Sequence, residues 1–154
     1  MTSSMTAGDI CNREVVVAHK SMALNAAARL MRERHVGSVV AVDETAEGGQ
    51  VVVGMLTDRD IVTAVVAKDM DAATLRVDDV MTRDVVTARE SDSVLDVLAT
   101  MRRRAVRRIP VTGPEGQLIG LVAVDDLLGL IADELRTLVQ ALVAQPRAEQ
   151  SARA

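Results

Sequence analysis

The 154-residue chain carries one pattern twice, and that duplication limits its fold more than any single motif does. Displaced by 70 positions, Arg13, Val15, Val16, Ala18, Ser21, Met31, Arg32, Arg34 and Val36 fall on Arg83, Val85, Val86, Ala88, Ser91, Met101, Arg102, Arg104 and Val106. The loop 43–50 is four residues longer than its counterpart, and beyond it the displacement is 66, so Gly54 meets Gly120 and Asp60 meets Asp126. The matches keep their order over most of each half, which marks a duplication.

Each half reads the same way. A short apolar run comes first, at 15–18 and 85–88. A helix follows, in which Leu24, Ala27, Ala28 and Met31, or Val94, Val97, Leu98 and Met101, recur at three- and four-residue spacing. Ser93-Val94-Leu95-Asp96 has the form of a capping box at the start of the second copy. Two runs rich in β-branched residues flank a glycine turn, 38–42 with 51–56 and then 109–112 with 118–122. A second helix closes each unit, over about 58–68 and 124–143. The order β-α-β-β-α, twice, predicts an α+β fold with repeats at 10–76 and 77–143, between an N-terminal tail at 1–9 and a polar, frayed tail at 144–154. A unit of roughly 60 residues buries too little surface to be stable alone. Two related units are therefore expected to pack into a pseudo-twofold body with two clefts between them, where ligands bind most readily.

Nearly half of the chain (49%) is apolar, yet it has no Phe, Tyr or Trp, so any planar ring bound here must lie between aliphatic groups. The net charge of −4 disfavours nucleic acid and anionic membrane surfaces as partners. The single cysteine, Cys11, fits a reducing compartment, and residues 1–9 lack the apolar core of a signal peptide, so a cytoplasmic location is expected. His19 and His35 are the only histidines and share no ligand spacing, which predicts no metal site. No nucleophile elbow or phosphate-binding glycine loop is present either, so no enzyme activity is expected.

The chemistry concentrates in Gly54-Met55-Leu56-Thr57-Asp58-Arg59-Asp60-Ile61, where a buried strand runs directly into a helix. Thr57 stands at the N-cap and Asp60 on the first turn, so a hydroxyl and a carboxylate converge beyond the strand end. That pairing suits a ribose, whose two vicinal hydroxyls can both donate to the carboxylate, each such charged bond contributing roughly 1.5–3 kcal/mol. Helix-start N–H groups favour phosphate nearby. The same pattern is also a capping box, and most such boxes only start helices. In the second copy, Gly120-Leu121-Val122-Ala123-Val124-Asp125-Asp126-Leu127, the acid is kept at Asp126 while Ala123 replaces the hydroxyl.

With Val36-Gly37-Ser38-Val39-Val40 and Val106-Arg107-Arg108-Ile109-Pro110-Val111, these tandem motifs resemble a pair of cystathionine-β-synthase-type (CBS) domains over about 10–143. The resemblance implies a non-catalytic regulatory module, usually a disc-like homodimer, that binds AMP, ADP, ATP or a related adenosyl ligand and signals to a separate partner. The choice of ligand, and whether Mg²⁺ accompanies it, stays open. Thr57 and Asp60 match the family's ribose-contacting positions. Val16, Gly37 and Ser38 would complete the first site; Asp126, Val86, Arg107 and Arg108 would form a second. Ala123 removes one neutral hydrogen bond, so the second site is expected to bind about fivefold more weakly.

Arg102, Arg103, Arg104, Arg107 and Arg108 read either as a solvated group on a helix end or, at Arg107 and Arg108, as a phosphate clamp. Arg59 can reach phosphate or pair with a nearby carboxylate. The stripe Leu127, Leu128, Ile131, Leu135, Leu138, Val139 and Leu142 on the last helix reads as intramolecular core or as a homodimer contact. The competing account of the whole is a ligand-free structural adaptor.

Overall fold

The computed structural model describes residues 5–153, with side chains as far as Ala144; Met1–Ser4 of the expected N-terminal tail and Ala154 of the C-terminal one lie outside the described residues. The first unit contains β1 (Val17–His19), α2 (Leu24–Arg34), β2 (Ser38–Glu44), β3 (Gln50–Thr57) and α3 (Asp58–Ala64), following a short helix α1 (Ala7–Ile10). The second contains α4 (Val77–Val80), β4 (Ala88–Arg89), α5 (Val94–Arg104), β5 (Arg108–Thr112), β6 (Leu118–Ala123) and α6 (Val124–Arg153). The predicted β-α-β-β-α order is present in both.

Each unit builds a three-stranded sheet, β1-β2-β3 and β4-β5-β6, with the first pair parallel and the second antiparallel. A register shift falls at Ala41/Val42 in one and at Val111/Thr112 in the other, so even the irregularity is duplicated. One helix of each unit lays its periodic face on the sheet: Leu24, Ala27 and Met31 are buried in α2, Val97 and Met101 in α5. Ser93 caps α5 by accepting from Asp96 N at 3.1 Å. Two separate aliphatic cores result, one around Leu24, Val39 and Leu56, the other around Val97, Ile109 and Val122. Close packing in place of rings suffices to bury both.

The cores do not follow the boundaries expected from sequence, because each unit lends its leading segment to the other. Ala7 is fully buried in the second core, and Asn12 pairs with Leu121 of β6 through N–H···O bonds of 2.9 Å in both directions. Val77 and Met81 are buried in the first core, and Thr82 pairs with Met55 of β3 at 2.8 and 3.0 Å. The motif glycines make room for this exchange. A Cβ on Gly54 would stand 2.6 Å from the Met81 sulfur and 2.9 Å from the Thr82 carbonyl; one on Gly120 would stand 2.5 Å from the Cys11 sulfur and 2.9 Å from the Asn12 carbonyl. Residues 7–9 are therefore part of the second unit's packing, in place of the expected tail.

The last helix also departs from expectation. α3 ends at Ala64 and a 3-10 turn, Val66–Lys68, follows, whereas α6 continues to Arg153 through most of the predicted frayed tail. Of its apolar stripe only Leu127 is buried; Leu128, Ile131, Leu135, Leu138, Val139 and Leu142 are 49–61% exposed. The intramolecular-core reading thus holds for Leu127 alone. No helix among the described residues is long and apolar enough to cross a membrane.

Candidate functional site

A cavity of about 590 Å³ opens where the two units face each other, with walls from both. The first unit contributes Gly37 and Ser38 from the entry to β2, Met55 from β3, and Thr57 to Asp60 from the β3–α3 junction. The second contributes Thr82, Asp84, Val85 and Val86 before β4, and Ala105 to Arg108 between α5 and β5.

Thr57 and Asp60 form the full capping box read from sequence. Thr57 Oγ1 accepts from Asp60 N at 3.1 Å, and Asp60 Oδ2 accepts from Thr57 N at 2.9 Å. Both side chains nonetheless line the cavity. Capping and ligand contact are compatible here because a carboxylate has two oxygens. Oδ2 holds the helix, while Oδ1 accepts no hydrogen bond among the described residues, and the Thr57 hydroxyl accepts without donating its own proton. The cap fixes both rotamers in advance, which would lower the entropy lost by any group that bound them. Gly37 adds space: its carbonyl accepts from Asp58 N at 2.9 Å, and a Cβ there would press on the Asp58 carboxylate at 3.2 Å.

The opposite wall owes its character to Pro110. In the first unit Val40 N donates to the Val16 carbonyl at 3.1 Å, closing the parallel ladder at its leading end. Pro110 occupies the equivalent place in β5 and has no N–H to donate. β4 accordingly spans two residues where β1 spans three. The Val86 carbonyl is left without its ladder donor at the edge of the cavity. Met55, Val85, Val86 and Val106 supply the apolar lining, and charges of both signs face the space: Arg59, Arg107 and Arg108 against Asp58, Asp60 and Asp84.

The predicted site residues therefore regroup. Thr57, Asp60, Gly37, Ser38 and Arg59 share this cavity with Val86, Arg107 and Arg108, which sequence reasoning had assigned to the second cleft. Val16 is absent from the lining and packs on the first core. Asp126 is exposed and retains half a capping box, accepting from Ala123 N at 3.2 Å. Sequence reasoning missed Thr82, Asp84, Val85, Met55 and Val106. Repeat alignment alone could not find them, because the exchange of leading segments is what brings Thr82 beside Met55. Asp84 is also held by Arg104 at 3.0 Å, and Arg107 stands 4.0 Å from Asp125. Among the described residues no group of three or more His, Cys, Asp or Glu side chains is placed to hold a metal ion.

The family model of the CBS domain matches this chain twice, over residues 7–67 and 77–133. The chain belongs to the CBS-domain family. Its two matched segments begin at α1 and α4, the exchanged helices. A Methanopyrus kandleri protein of unassigned function is 31% identical over 81% of the chain, which spans 62% of that relative's length. Among solved structures, the CBS domain pair of protein MJ0100, in complex with 5′-methylthioadenosine and S-adenosyl-L-methionine, superposes with a TM-score of 0.69 at 25% identity, covering 82% of this chain and 98% of that one. The cytosolic domain of the Mg²⁺ channel MgtE, in complex with ATP, gives 0.68 at 27% identity, covering 81% and 48%. CBS pairs are generally regulatory and ligand-binding, and this one has the mixed helix-and-sheet build of those neighbours.

Proposed function

We propose that the cavity binds an adenine nucleotide, AMP, ADP or ATP, and that the CBS pair is a non-catalytic cytoplasmic sensor reporting that ligand to a separate protein. The observation that carries the reading is the Thr57–Asp60 pair, which caps α3 and still offers a free carboxylate oxygen and a hydroxyl proton to the cavity. The ribose hydroxyls would donate to Asp60 Oδ1. The base would lie between Met55, Val85, Val86 and Val106, its exocyclic amino group donating to the Val86 carbonyl left vacant by Pro110. Phosphates would meet Arg59, Arg107 and Arg108, whose guanidinium geometry suits them. The complexes of MJ0100 and MgtE with adenosyl ligands support the ligand class.

Calorimetric titration with AMP, ADP, ATP, adenosine and GTP tests this reading. Guanine presents a carbonyl where adenine presents the amino group, so GTP is expected to bind about tenfold more weakly than ATP. Without Trp or Tyr the protein barely absorbs at 280 nm, so a co-purified nucleotide would dominate the spectrum near 260 nm. No heat and no thermal shift with any of the adenosyl compounds at millimolar concentration would leave the second reading, a ligand-free adaptor. That reading draws on Ala123 and on the exposed Asp126.

A further inference from the structure

We propose that a polar cavity of about 680 Å³, where β4 and β5 end, is a further ligand site and takes a small zwitterion of the α-amino acid class. It shares no residue with the nucleotide cavity, which lies at the other end of β5, beside Arg108. Thr112, the last residue of β5, lines the new cavity and is only 7% exposed. Its hydroxyl makes no hydrogen bond among the described residues; the oxygen is not sealed in, and what access it keeps opens into this cavity. A hydroxyl so deeply placed without a partner needs a reason. Packing does not supply one. The same register position in the first unit is Val42, and Val17 stands where the second unit has Thr87, which also lines the cavity. Valine and threonine have nearly the same shape, so the duplicated frame is filled equally well without either hydroxyl.

The first unit is an internal template for the ligand. There the Asp43 carboxylate is gripped by Lys20, by His19 at 3.4 Å and by the Glu44 N–H at 3.0 Å. The counterpart of Asp43 is Gly113, which brings no carboxylate, while the counterpart of His19 is Arg89, whose guanidinium has no partner among the described residues. The position that holds a built-in carboxylate in one unit thus presents an open cation in the other, beside the Thr87 and Thr112 hydroxyls. Asp92, half-buried in the same wall, supplies the opposite charge. Its Oδ2 accepts from Arg89 N at 2.8 Å, and its Oδ1 accepts no hydrogen bond among the described residues. The third charge, Glu90, is held by Arg13 at 3.1 Å. Arg89 and Asp92 make no ion pair with each other, so both charges face the cavity separately. A plain anion meets Asp92 and a plain cation meets Arg89; a ligand with a carboxylate beside an ammonium satisfies both.

Methyl-resolved NMR titration of the full chain with glycine, L-alanine and L-glutamine tests the inference, with acetate, methylamine and inorganic phosphate as controls. The amino acids are expected to shift the Thr87 and Thr112 methyl signals and to leave that of Thr57, in the nucleotide cavity, unmoved. Acetate and methylamine, each carrying half of the charge pair, should bind about tenfold more weakly than glycine. Thr112→Val installs the first unit's residue; it should weaken the amino acids about fivefold and leave the melting temperature unchanged or slightly higher. Arg89→Gln, at an exposed position, should weaken them about tenfold. ATP titration of both variants should match that of the native protein, so the nucleotide reading and this one stand or fall separately. No methyl shift with any of the amino acids at millimolar concentration would overturn the inference. Acetate or phosphate binding as tightly as glycine would overturn it by reducing the cavity to an anion site. A Thr112→Val protein that melts lower yet binds the amino acids as the native one does would overturn it by making the hydroxyl structural.

Discussion

The two strand-to-helix junctions, Leu56–Asp60 and Val122–Asp126, descend from one unit and have diverged in what they can hold. Both keep the glycine, the crossing leading segment and the helix-start aspartate. Only the first keeps the hydroxyl, an arginine at position 59 and a half-buried carboxylate in a cavity; the second has Ala123, Asp125 and an exposed Asp126. Shared structural roles outlast shared chemistry: the residues that build the duplicated frame are retained on both sides, and those that would grip a ligand on one.

The largest expected effect tests that contrast directly. Asp60→Asn preserves an oxygen for the cap and removes the charge, so adenine-nucleotide affinity should fall about 10- to 100-fold by calorimetry, the loss of a charged hydrogen bond pair. Asp126→Asn should change it by less than about twofold. The reverse order would show that the ligand sits in the other cleft. Next in size are the shared glycines. Gly54→Ala and Gly120→Ala each force a Cβ onto sulfur and backbone oxygen, costing roughly 1–3 kcal/mol and several degrees in melting temperature by calorimetric scan. Of the two, Gly54→Ala alone should weaken nucleotide binding, because Met55 and Thr82 line the cavity and their counterparts beside Gly120 do not.

Pro110→Val supplies the N–H that Val40 supplies in the first unit. It should engage the Val86 carbonyl, raise thermal stability slightly and weaken ATP about fivefold, a loss of roughly 1 kcal/mol; unchanged affinity would remove that carbonyl from the site. The smallest effect lies away from the cavity. Lys20, first, and then His19 and the Glu44 N–H hold the Asp43 carboxyl below its ordinary range. A depressed folded value stabilises the fold above the unfolded one, near pH 4, and that contribution is lost as the pH falls through the folded value. Asp43→Asn should therefore lower the melting temperature slightly at pH 7, by an amount that shrinks as the pH falls below about 4. Its counterpart is Gly113, so the equivalent position of the second unit makes no such contribution.

The sequence made the duplication, the element order and the Thr57–Asp60 box legible because each is a local pattern: spacing on one helix, alternation on one strand, a cap within four residues. The grouping of Val86, Arg107 and Arg108 with Thr57 was not legible. It depends on which sheet each leading segment joins, and Ala7-Gly8-Asp9-Ile10 carries no periodicity that names its partner. Pro110 was visible, but its consequence appears only once Val86 is known to lie opposite it. The stripe on α6 was read correctly as apolar; burial, which periodicity cannot report, separated Leu127 from the rest.

The exchanged helices also bear on how the chain is made. During synthesis Ala7 and Asn12 leave the ribosome long before β6, so they must wait unsatisfied until Leu121 emerges. The first unit in turn stays incomplete until Val77 and Met81 have been translated. Severing the chain between the halves would leave each without its closing piece, and the two fragments should regain order only when mixed.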